Sequence, residues 1–66
     1  MFIKYKKMAI NINNIVGMVK VEESNGYYID FRLIDSSSIR WSFEDEEERN
    51  KNFIDIYTSI DYKEID

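Results

Sequence analysis

The residues best equipped for chemistry stand together in FEDEEERNKNF, residues 43 to 53, where Glu44, Asp45, Glu46, Glu47 and Glu48 run without interruption between two phenylalanines. Carboxylates in such number could hold a hard cation or serve as general acid and base. A metal site needs oxygen ligands converging on one point, and successive helical residues point about 100° apart, which disperses these five. The spacing of a calcium loop and a glycine loop that cradles phosphate are both missing. Histidine and cysteine are absent, which removes zinc ligands, thiol nucleophiles, imidazole bases and disulfides together. The expectation is of no enzyme, no metal and no cofactor.

A simpler task for the run is to start a helix. Asp45 followed by Glu48 has the spacing of a capping box, and Glu46 and Glu47 would sit near the positive end of the helix dipole. Ser42 with Asp45 offers the same spacing as a rival start. The outward carboxylates Glu44, Glu47, Glu48 and Asp55, reinforced by Asp61 and Glu64, would then form an acidic face able to dock on a basic surface of another protein. An acidic helix face is also common without any partner.

A second constellation is basic: Lys20, Tyr28, Arg32 and Arg40, which strand alternation places together on one sheet face. Cations beside an aromatic ring suit single-stranded nucleic acid, although Tyr28 is the only ring there and Asp30 and Glu22 partly neutralise the charge. Val16, Met18 and Ile34 on that face could instead make a homodimer contact or lie under the N-terminal segment.

The elements that must position these groups follow from hydrophobic period. Residues 15 to 23 alternate, with Ile15, Gly17, Val19 and Val21 on one side; YYIDFRLI and IRWSF repeat the pattern, giving three strands. A three-residue loop Ser24-Asn25-Gly26 would pair Val21 with Ile29, Val19 with Phe31 and Gly17 with Leu33, set Lys20 against Asp30, and require positive φ at Gly26. The next hairpin, through DSSS, is left open: one alignment opposes Arg32 and Arg40, and a shift of two brings Arg40 opposite Asp30. Ile10 and Ile12 point to a further strand near the N-terminus, with a turn at Asn13-Asn14. After Phe43 the period lengthens to about 3.6, and Phe53, Ile56, Tyr57 and Ile60 mark the buried side of a helix, with Ile54 at its margin. Glu47 and Lys51 have the favourable i, i+4 spacing on its solvated side. DYKEID, residues 61 to 66, carries no strong signal and is expected to fray.

The whole is expected to be a single small α+β domain over residues 1-66, an antiparallel meander of three or four strands with one C-terminal helix packed across a face. The 66 residues form one unit at most, and a chain of this size buries only about 60% of its unfolded surface, so its stability should be marginal and oligomerisation would help. MFIKYKKMAI lacks the features of a secretory signal, and no run approaches the roughly 20 apolar residues of a bilayer span; the chain is expected in the cytoplasm and off the membrane. Initiation at Met8 would make residues 1 to 7 dispensable. The net charge is −4, and the abundance of Ile, Asn and Lys suits an AT-rich coding sequence. The leading functional expectation is non-enzymatic protein binding, as by a small accessory or inhibitory protein of a mobile element such as a phage or plasmid. Nucleic-acid binding and homodimerisation are the alternatives.

Overall fold

The computed structural model describes residues 1 to 60. Its order is β1 (Phe2–Tyr5), β2 (Met8–Asn11), a 3-10 turn (Ile12–Asn14), β3 (Ile15–Glu23), β4 (Gly26–Leu33), β5 (Ser38–Phe43) and α1 (Glu46–Ser59). The fold is α+β: β3-β4-β5 form an antiparallel three-stranded sheet, and β1-β2 form a separate two-stranded one. The N-terminal segment therefore supplies a whole hairpin. Its tight turn places Lys6 at φ 55°, a conformation usually left to glycine. The stretch expected to fray, residues 61 to 66, lies outside the described residues.

One face of the large sheet carries the core. Alternation brings Ile29 and Phe31 of β4 and Trp41 and Phe43 of β5 to that face, where Ile10 of the hairpin and Ile56 of α1 close over them. Hairpin and helix thus cover the same side. Phe31 meets Trp41 edge-on at 4.7 Å between ring centroids, a favoured aromatic geometry. Tyr5 extends the group, with centroids 4.5 Å from Phe43 and 5.5 Å from Trp41. Trp41 is almost fully buried and its indole N–H finds no acceptor among the described residues, so the largest core ring carries an unmet polar cost.

The β4-β5 pairing adopts the alignment with Arg40 opposite Asp30. In the connecting turn Asp35 Oδ1 accepts from the Ser37 amide at 3.0 Å, which lets Ser36 stand at φ 73°. Hydrogen bonding from Ser37 holds the Asp35 carboxyl below its ordinary pKa.

The β3-β4 register differs from the one that alternation favours. Glu23 pairs with Gly26 across a two-residue loop of Ser24 and Asn25, so Val21 faces Tyr28, Lys20 faces Ile29 and Val19 faces Asp30. Gly26 opens β4 at φ 159°, positive as expected but close to fully extended. A Cβ there would lie 3.1 Å from the Tyr28 hydroxyl, which itself donates to Asn25 Oδ1 at 2.9 Å. The expectation failed because it required β3 to be apolar on the buried side throughout. As an edge strand, β3 needs that only in part. Met18 packs against the core, Lys20 lays its stem beside α1 with its ammonium 5.3 Å from the Phe53 centroid, and a bulge between Ile15 and Gly17 returns Ile15 to the core.

Candidate functional site

The acidic run divides between structural and free positions. Asp45 is the N-cap of α1 and accepts from the Glu48 amide at 2.7 Å; Ser42 is not the cap. The Glu48 side chain does not face solvent as expected, because it accepts a 2.7 Å hydrogen bond from the Tyr5 hydroxyl and joins the hairpin to the helix start. Burial, that bond and the nearby charges of Glu48, Glu44 and Asp45 push the Tyr5 hydroxyl up to about 12. Lys51 pairs with Asp55 at 3.1 Å rather than with Glu47, and both are largely exposed. Glu44 and Glu47 are exposed and make no ion pair among the described residues. The expected acidic face thus reduces to Glu44 and Glu47, and Asp61 and Glu64 lie outside the described residues. No group of three or more carboxylates among the described residues is placed to hold a metal ion.

The basic constellation is split. Tyr28, Arg32 and Arg40 share the open face of the sheet, but the register sends Lys20 and Met18 to the helix side and brings Val19 and Val21 out. Arg40 donates from Nε to Asp30 Oδ1 at 2.7 Å, from Nη2 to Asp30 Oδ2 at 2.9 Å and from Nη1 to Glu23 Oε1 at 3.1 Å. The Lys20–Asp30 pair is thereby replaced. These bonds from the guanidinium hold the Asp30 carboxyl below its ordinary pKa, and in return raise that of Arg40. The same guanidinium lies 4.7 Å from the Tyr28 ring centroid. The ring meant for a base is therefore already stacked by a neutralised cation, which leaves Arg32 as the cation of that face without an ion pair among the described residues.

Two residues carry more of the structure than their types suggest. Arg49 is buried, 5% exposed, on the inner side of α1. It donates from Nη1 to the Val21 carbonyl at 2.9 Å and, at 3.5 Å, to that of Tyr28, and from Nε to Asn50 Oδ1 at 2.8 Å. Its guanidinium stands 5.6 Å from the Tyr27 centroid. The signal was present in the spacing, since 49, 53, 56 and 60 fall on one helical stripe, but a charged residue is discounted when a core is read from apolar period. Tyr5 was legible in the same way, two residues after Ile3.

The longer of the two edge strands of the large sheet is β3, the other being β5. This nine-residue strand has a strand neighbour on one side only, and Val16 and Val19 are 61% and 58% exposed. Against its first half lies a cleft of about 340 Å³ lined by Ile15, Val16, Gly17, Met18, Phe53, Tyr57 and Ile60. Comparison with family models, curated proteins and solved structures finds no significant match. No helix among the described residues is long and apolar enough to cross a membrane.

Proposed function

We propose that this chain is a non-enzymatic polypeptide-binding module, of the accessory or inhibitory kind, and that it engages its partner by accepting an added strand along the open edge of β3. The observation that carries this reading is the pairing of a long unoccupied strand edge with the apolar cleft beside it. In strand addition, main-chain hydrogen bonds supply affinity and pockets for alternate side chains supply specificity. The cleft lies where inward side chains of an added strand would enter, between β3 and α1. Asp45 serves helix capping, Asp30, Arg40 and Glu23 form one ion-pair network, and Arg49 clasps backbone carbonyls, so these groups are structural.

A second surface is favoured by the exposure of Glu44 and Glu47 at the start of α1, whose charge would draw a basic partner. The test combines affinity capture from the native host with amide hydrogen exchange of the resulting complex. Strand addition predicts new protection at amides between Met18 and Glu22. Unchanged exchange along β3, with capture abolished instead by Glu44→Lys and Glu47→Lys, would move the binding surface to the helix.

A further inference from the structure

We propose that the polypeptide best matched to the open edge is a second copy of this chain, paired antiparallel through β3 about a two-fold axis at Val21. The proposal rests on the strand-addition reading above and names its occupant. In a two-fold pairing of identical strands, a residue faces a partner residue on the same side of the sheet. Lys20 and Glu22 both lie on the helix side, opposite Ile29 and Tyr27 of β4 respectively. Among the described residues neither makes an ion pair.

Three symmetric registers bring the middle of the strand together, and charge separates them. Centring on Lys20 sets two ammonium groups face to face, which is destabilising. Centring on Val19 opposes Lys20 to Met18 and runs Glu22 into the bulged segment at Val16. Centring on Val21 sets Lys20 opposite the partner's Glu22 and, by symmetry, Glu22 opposite the partner's Lys20. It also sets Val21 against the partner's Val21 on the open face. This register keeps the pairing between Val19 and Glu23, within the strand, and leaves the bulge outside it. The result is a continuous six-stranded sheet, twice the three strands of one copy, in which both helices lie on the same side. It covers the β3 edge of each copy and leaves β5 as the outer edge strand at both ends.

Sedimentation velocity of four samples tests the pairing. The wild type should sediment as a dimer at high concentration. Lys20→Glu places Glu opposite Glu and Glu22→Lys places Lys opposite Lys, and each should weaken association roughly tenfold or more. An equimolar mixture of the two variants should associate again, because each then faces its opposite charge. Both substitutions are at exposed strand positions, and Trp41 fluorescence verifies folding; wild-type association that weakens as salt is raised gives a measurement free of any variant. A wild type that stays monomeric, or a Lys20→Glu variant that associates as well as the wild type, overturns the proposal. If that monomer still gains protection between Met18 and Glu22 on adding a captured partner, only the second copy is lost. Absence of protection as well brings down strand addition itself.

Discussion

The two faces of the β3-β4-β5 sheet are built from the same strands by the same alternation, and they differ in what their side chains have left to do. On the helix side the core groups are packed together: Trp41, Phe31 and Ile29 are the most deeply buried residues, Tyr5 is stacked and hydrogen-bonded, and Arg49 holds backbone carbonyls, while Lys20 and Glu22 at the β3 edge make no ion pair among the described residues. On the open side the polar groups satisfy one another through Arg40, Asp30 and Glu23, and Val19 faces solvent. Stability should therefore reside on one face, with the other, together with its edge, available for contact.

The sharpest way to break that contrast is to hollow the inner face. Trp41→Ala should cost about 3 to 5 kcal/mol, enough in a domain of this size to unfold much of the population, as urea denaturation followed by circular dichroism would show. Trp41→Phe should cost far less, because it removes the unpaired indole N–H along with the lost ring volume. Next, Arg49→Met keeps the bulk of the side chain but deletes its bonds to the Val21 and Tyr28 carbonyls, for an expected loss of about 1.5 to 3 kcal/mol. Retention of full stability in that variant would show the guanidinium to be ornamental.

Tyr5→Phe isolates one hydrogen bond and should cost about 1 kcal/mol. Its pH signature is distinctive. The folded hydroxyl titrates at about 12 against an ordinary value of 10.0, so the associated stability is complete below about pH 10 and disappears as pH rises towards 12. Ultraviolet titration of tyrosinate should show one late-titrating group in the wild type that is missing from the variant. On the open face Asp30→Asn should cost under about 1 kcal/mol, since its ion pair is partly exposed. The sign is opposite to that of Tyr5: the folded carboxyl is held below the unfolded value of roughly 3.9, so its contribution is present above that pH and is lost as acid carries the solution through the folded-state pKa. Acid unfolding curves of the two proteins should converge there. Lys51→Ala, which removes the exposed helical pair with Asp55, marks the floor at about 0.3 to 0.5 kcal/mol in thermal unfolding.

What could be read in advance divides along the same line. The three strands, the helix, its cap at Asp45 and the buried stripe of Phe53 and Ile56 all follow from local period and capping chemistry, and are present. The β3-β4 register was misread because alternation assumes that both strands of a pair are equally buried, whereas β3 lies at the margin and tolerates Lys20 inward and Val19 outward. The acidic face was overestimated for a related reason. Spacing places Glu48 on the helix surface, but only the long-range return of the N-terminal hairpin places Tyr5 against it.

The Arg49 clasp bears on how the chain avoids misfolding. The pairing that simple alternation prefers, with Val21 opposite Ile29, is a slip of one residue from the native one and would exchange the faces of β3. Such a slip would shift the Tyr28 carbonyl from that of Val21 by about 3.3 Å along the strand. A single guanidinium arriving on α1 could not then reach both carbonyls and would be left as a buried charge with too few acceptors. Docking of the helix thereby proofreads the hairpin, rejecting the competing register that the strand's own hydrophobic pattern invites.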